Sequence, residues 1–147
     1  MKKAILSETI IALLMLLFLY AAFSKLADFA AFRAAMGKQP FPKWLRAVVI
    51  HTLPAVEVAT AVLLVPAKTR LAGLTTFCGL MGLFTLYITA ILLHLFPYVP
   101  CTCGGVISRL GWPQHLVFNL AFVALGIWGT RLTIFHARNQ DPTARPV

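Results

Sequence analysis

The chain has 147 residues, of which 60% are hydrophobic and only 12% are charged. A soluble domain carries roughly 25% charged residues, so this composition argues against a soluble globular enzyme, and its apolar excess excludes intrinsic disorder. The net charge is +9, but the basic residues lie between long apolar runs and do not form one cluster. We therefore expect a single-domain membrane protein whose loops contact anionic lipid headgroups, with no nucleic-acid partner.

Four apolar stretches are long enough to cross a bilayer, which takes about 20 residues. The first is longer than the apolar core of a signal peptide, so we expect it to be retained as a helix. Only a short segment separates the second stretch from the third, which forces an antiparallel hairpin. The sequence therefore predicts an all-α, antiparallel bundle of four transmembrane helices in one domain, 1–147, with spans at residues 4–23, 47–65, 71–96 and 116–135.

The longest connection, residues 24–46, has apolar residues at roughly helical spacing, which predicts a short interfacial helix after the first span. Gly37 would end this helix, and Trp44 is a candidate interface anchor. A turn-rich loop from Pro97 to Gln114 precedes the last span, and residues 138–147 form a polar tail.

Orientation is poorly determined by charge. Four spans place both termini on one side of the membrane, here called the terminal side. The two long connections then lie together on the other, here called the loop side. The 13 Lys and Arg residues divide seven to six between the two sides, so the positive-inside rule does not choose between them.

The segment Cys101-Thr102-Cys103-Gly104-Gly105 is the sharpest chemical signal in the chain. Two cysteines one residue apart lie near the upper Cα separation for a disulfide, about 6–7 Å, so a bond between them is strained and easily exchanged. The glycines leave the backbone free to bend towards a partner. Thiol–disulfide exchange is the leading reading, and a static disulfide, a soft-metal site and two unrelated cysteines remain as alternatives.

Cys78 belongs to a different part of the protein. It lies early in the third predicted span, roughly 25–30 Å from Cys101 along a mostly helical path. We expect it to be a small packing residue that takes no part in the chemistry of the loop cysteines.

Several polar residues fall in the half of the bundle that faces the cysteine loop. Glu57 is the most notable, because an ionisable group inside a membrane is costly and often functional. Tyr87 and His94, and separately His115 and Asn119, are spaced to share a helix face. Buried polar contacts between helices would explain the set. The same set of residues would also suit a pocket for a proton relay or a quinone headgroup. The members of this predicted pocket are Glu57, His51, Tyr87, His94, His115 and Asn119.

Glu8 and Arg131 fall on the terminal side, at similar heights in the first and fourth spans. A structural ion pair between them would account for two charged residues at membrane depth.

The order of these features resembles the MauE and DoxX-like family of small bacterial membrane proteins. The resemblance is carried by residues 20–29 after the first span, by Leu53-Pro54-Ala55-Val56-Glu57, and by the Cys-X-Cys-Gly-Gly motif, which matches the MauE branch. It implies a multi-pass protein of the bacterial inner membrane, with cytoplasmic termini and a periplasmic cysteine loop. It also implies a part in disulfide formation, beside a thioredoxin-like periplasmic partner.

Three functions follow as hypotheses. The first is a thiol–disulfide oxidoreductase in which Cys101 and Cys103 exchange electrons with a thioredoxin-like partner and with a membrane carrier such as a quinone. The second is a copper- or zinc-binding protein with Cys101, Cys103, His94 and His115 as candidate ligands. The third is an assembly subunit of a membrane complex that has no chemistry of its own.

Overall fold

The computed structural model describes residues 2–96 and 111–140, with side chains placed for residues 4–96 and 111–137. Over these ranges the protein is helical and has no strand. The helices are α1 Lys2–Ala27, α2 Phe29–Gly37, α3 Lys43–Leu64, α4 Arg70–Leu92 and α5 Trp112–Gln140. All except α2 are long and apolar enough to cross a membrane, which confirms the predicted four-span, all-α membrane architecture.

The four long helices form a ring in which α1 packs against α3 and α5, and α4 packs against the same two helices. Apolar side chains from α1, α3 and α4 fill the centre, where the rings of Phe18 and Phe77 lie 4.4 Å apart. Large apolar side chains also point outwards, and Leu86 and Val117 are 67% and 68% exposed. An apolar exterior around an apolar core is typical of a bundle surrounded by lipid, and the chain is a multi-pass membrane protein.

The predicted hairpin joins α3 to α4 through residues 65–69. Gly73 allows the two helices to approach closely, because a Cβ at this position would lie 2.9 Å from the backbone nitrogen of Leu64. The Thr69 hydroxyl donates a hydrogen bond to the Leu63 carbonyl at 2.8 Å and so closes the turn.

The short helix predicted after the first span is α2. Its N-cap is Asp28, whose carboxylate accepts the backbone N–H of Ala31 at 3.0 Å, and Gly37 is its last residue. Phe32 and Met36 on α2 pack against Ile50 of α3, so the apolar face of α2 covers the first half of α3 on the loop side.

The predicted Glu8–Arg131 ion pair is wrong. Glu8 accepts hydrogen bonds from the guanidinium of Arg70 at 2.6 and 3.2 Å, whereas Arg131 is exposed. Counting residues from the helix ends compares positions along the helices but does not give the direction in which Arg131 points. Arg70 begins α4 immediately after the hairpin, next to the first turns of α1, and is therefore the partner of Glu8.

Cys78 lies in the interface between α4 and α5, where a Cβ on Gly126 would come within 2.8 Å of its sulfur. This tight contact on the described part of α5 supports the expected packing role of Cys78.

Candidate functional site

A buried ion pair joins α1 to α3. The ammonium of Lys25 donates hydrogen bonds to both carboxylate oxygens of Glu57, at 2.8 and 3.1 Å, and to the Ala21 carbonyl at 3.1 Å. The Glu57 side chain is only 2% exposed and that of Lys25 15% exposed. All three ammonium protons are therefore donated, which is the arrangement a charge pair inside a bilayer requires.

Sequence reasoning missed Lys25 because it placed this residue in a loop beyond the first span. In the structure, α1 continues to Ala27, and Lys25 lies on the same face as the buried residues Leu14, Phe18 and Ala22. Their spacing of three and four residues was a signal that Lys25 would face the interior.

The depth of Glu57 below the loop-side end of α3 follows from its position along the helix. It lies 14 residues after Lys43, about 21 Å along the α3 axis, while Lys25 is near the loop-side end of α1. The beginning of α3 therefore extends past the end of α1, and α2 packs over the extension. The ion pair consequently lies beneath α2, inside the bundle.

A second polar contact lies nearer the loop side. The Tyr87 hydroxyl of α4 donates a hydrogen bond to the side-chain oxygen of Gln39, which is 1% exposed in the connection between α2 and α3. The Tyr87 ring lies 5.0 Å from that of Phe41 and 5.9 Å from that of Phe96. We call Gln39, Phe41, Tyr87 and Phe96 the tyrosine cluster. Phe96 is the last described residue before the segment that contains both loop cysteines.

Gln39 was also missed from the sequence. The segment Gln39-Pro40-Phe41-Pro42 has no helical or strand periodicity, so nothing in the sequence placed the amide against Tyr87. Only the fold of α2 back onto α3 brings the two side chains together.

The structure changes the interpretation of His94. The third span was expected to reach residue 96, but α4 ends at Leu92. The His94 N–H bonds to the Ile91 carbonyl and the Leu95 N–H to the Ala90 carbonyl, both at 3.0 Å, which is the Schellman pattern of helix termination. His94 occupies the left-handed position of this motif, with φ 55°, and does not share a helix face with Tyr87.

We expect His94→Gly to preserve the bundle and His94→Val to destabilise it. Glycine adopts the left-handed conformation freely, whereas it costs other residues roughly 1–2 kcal/mol and is least accessible to β-branched side chains. Thermal unfolding of the purified variants in one detergent would measure the difference. Equal stability of the two variants would contradict a purely conformational role for the position.

The remaining members of the predicted pocket differ in exposure. His51 is exposed on α3, where its Nδ1 lies 2.8 Å from the Ala47 carbonyl and its ring lies 6.2 Å from that of Phe29. Asn119 of α5 is 3% exposed. His115 is half-buried, and its buried Nδ1 has no hydrogen-bond partner among the described residues. Glu57, Tyr87 and Asn119 thus contribute to the interior, whereas His51 and His94 face outwards.

The loop cysteines, Cys101 and Cys103, lie outside the described residues. In the sequence their segment lies between Phe96 and Gly111, the described residues that follow α4 and precede α5. Among the residues that are described, no three His, Cys, Asp or Glu side chains lie close enough together to hold a metal ion.

The family model for the methylamine utilisation protein MauE matches residues 3–132. The chain belongs to the MauE family. The match extends from the start of α1 into the second half of α5, and it includes Glu57, the tyrosine cluster and the segment with both loop cysteines. No curated protein and no solved structure shows a significant match to this MauE-family chain.

Proposed function

We propose that this MauE-family protein is the membrane component of a thiol–disulfide relay, in which Cys101 and Cys103 are the reacting residues. The observation that carries the proposal is the Cys101-Thr102-Cys103-Gly104-Gly105 segment in the connection between α4 and α5. Two thiols at this spacing form a strained bond, and a strained disulfide exchanges readily.

The partner we propose is a thioredoxin-like protein with its own cysteine pair. A thiolate of one protein attacks the disulfide of the other, and a mixed disulfide forms while one thiolate leaves. The second cysteine of the attacking pair then displaces it. Two electrons and two protons move between the pairs, so one dithiol becomes a disulfide as the other disulfide becomes a dithiol. The relative reduction potentials of the two pairs set the direction.

We propose that the ring of a membrane quinone binds at the tyrosine cluster. The rings of Phe41 and Phe96 lie beside that of Tyr87, whose hydroxyl bonds to the Gln39 side chain, so apolar faces and hydrogen-bonding atoms lie together. A carbonyl oxygen of the quinone would replace Gln39 as the acceptor of the Tyr87 hydroxyl proton, and Phe41 and Phe96 would lie beside the ring. A bound quinone supplies an acceptor for two electrons and two protons. His115 is the group we propose for accepting a proton from the thiols, because its Nδ1 bonds to no other residue that the structure describes.

We also propose a location and an orientation for the protein. We place it in the bacterial inner membrane with both termini in the cytoplasm and the loop side in the periplasm, where disulfides persist. The four candidate spans support a common side for the termini, and the resemblance in sequence supports this orientation.

Thiol trapping in intact spheroplasts tests chemistry and orientation together. After reduction, a membrane-impermeant maleimide should label Cys101 and Cys103 and leave Cys78 unlabelled. Without reduction, part of the protein should be protected as the disulfide, and that fraction should change when the membrane quinone pool is reduced.

The same samples distinguish the alternatives. Labelling that requires an opened membrane would reverse the orientation. Protection that a chelator removes, with stoichiometric copper or zinc in the purified protein, would favour the metal-binding hypothesis. A fixed disulfide that never responds to the quinone pool or to a thioredoxin-like protein would contradict the relay.

A further inference from the structure

Arg131 is a cation inside a candidate membrane span, and none of the carboxylates that the structure describes lies beside it. Lys25 is paired with Glu57 and Arg70 with Glu8, and the part-buried Arg46 donates a hydrogen bond to the Gly37 carbonyl. Within the described part of the chain no carboxylate pairs with Arg131, and its side chain is exposed on the lipid-facing surface of α5. An exposed charge in a span needs water or a counter-ion from the membrane.

Arg131 lies in a groove on the outside of the bundle, between α4 and α5. The groove has a volume of about 380 Å³ and is lined by Thr75, Cys78, Ile127, Thr130 and Arg131. The hydroxyl protons of Thr75 and Thr130 are donated to carbonyls of their own helices. The Arg131 guanidinium is therefore the charged donor in the groove that can bind an anion, and the remaining surface suits a hydrocarbon chain.

The height of the groove fits the boundary between acyl chains and headgroups. Arg131 precedes Arg138, the next charged residue of α5, by seven residues, which is about 10 Å along the helix. Thr75 follows Arg70 by five residues, about 7.5 Å along α4. A long arginine side chain at this height can extend to the phosphate layer while its methylene groups remain in the apolar region.

We propose that this groove binds one anionic glycerophospholipid from the leaflet on the terminal side. The Arg131 guanidinium would contact the phosphodiester, and an acyl chain would lie over Ile127 and Cys78. The charge of the site is complementary to the lipid, and the net charge of +9 favours an anionic leaflet around the protein. The site is separate from the loop cysteines, and it does not depend on the proposed relay.

Lipid titration of the purified protein tests this assignment. Native mass spectrometry would count bound dioleoylphosphatidylglycerol in neutral detergent, with dioleoylphosphatidylcholine as the uncharged comparison. We expect wild type to retain one phosphatidylglycerol in preference to phosphatidylcholine, and Arg131→Gln to bind it about fivefold more weakly. Lys68→Gln is the matched control, because Lys68 is an exposed cation on the terminal side but outside the groove.

A second variant keeps the test independent of the stability of Arg131→Gln. Ile127→Trp fills the groove and keeps the charge, so it should also weaken retention of phosphatidylglycerol. Equal binding by wild type, Arg131→Gln and Ile127→Trp would overturn the proposal. A loss of binding in Lys68→Gln as large as in Arg131→Gln would show attraction by general surface charge and would also overturn it. The proposal would also be overturned if the protein were a dimer that Arg131→Gln dissociates without any change in lipid binding. The occupant of the groove would then be a second copy of the chain.

Discussion

Glu57→Ala is expected to remove most of the folded protein from the membrane, because it leaves the Lys25 ammonium inside the bundle without its anion. Breaking a buried ion pair by deleting one partner costs about 3–5 kcal/mol, which is a large part of the stability of a small domain. Lys25→Met should be similarly damaging, because the Glu57 carboxylate is only 2% exposed. Glu57→Gln should be milder than Glu57→Ala, since the amide can still accept a hydrogen bond from Lys25.

The double variant Lys25→Met with Glu57→Met separates structure from chemistry. Replacing both charges with apolar side chains of similar volume removes the unpaired charge, so folded protein should return towards the wild-type amount. Fluorescence-detected size-exclusion chromatography of detergent extracts would measure that amount. A double variant that folds but does not exchange disulfides would show that the charges serve the relay. One that folds and remains active would give the pair a structural role only.

The second ion pair provides a matched control. Glu8 is paired with Arg70, but its side chain is 62% exposed. Exposed pairs contribute about 0–1 kcal/mol, so Glu8→Ala should reduce the folded fraction far less than Glu57→Ala. Equal losses in the two variants would contradict the importance of burial for the Lys25–Glu57 pair.

These two pairs illustrate what could be predicted from this sequence. Hydropathy is a property of consecutive residues, so the four spans, the hairpin and α2 could be predicted without knowing how the helices meet. The rotation of each helix about its axis depends on contacts between distant segments. The outward direction of Arg131 was therefore not predicted, and Glu8 was given the wrong partner.

Helix ends were a second source of error. Apolar composition suggested that α1 ends near Phe23 and that α4 reaches Phe96, whereas backbone capping ends them at Ala27 and Leu92. Asp28 caps α2 and so marks the boundary after α1, while His94 ends α4 inside an apolar stretch that has no glycine or proline between Gly82 and Pro97. The four extra residues of α1 carry Lys25 into the bundle, and the shorter α4 removes His94 from the face of Tyr87.

The loop cysteines and Gln39 differ in how far sequence reasoning reaches. Cys101 and Cys103 were proposed as the reacting pair from their spacing alone, because the geometry of a disulfide across one intervening residue is local. Gln39 could not be found in the same way, because its contact with Tyr87 joins residues that are 48 positions apart.

A covalent complex with a thioredoxin-like protein should accumulate when one of the two loop cysteines is removed. Exchange passes through a mixed disulfide, and the second cysteine of the pair is needed to resolve it. One of the single variants, Cys101→Ser or Cys103→Ser, should therefore show a reductant-sensitive adduct on non-reducing gels. The double variant should form no adduct and should lose all exchange activity.

Cys78→Ser is the matched control and should behave like wild type, because Cys78 packs against Gly126 within the described bundle. If neither single variant formed an adduct and both lost bound metal, the metal-binding hypothesis would replace the relay. If adducts also required Cys78, the assignment of the reacting pair to the loop would be wrong.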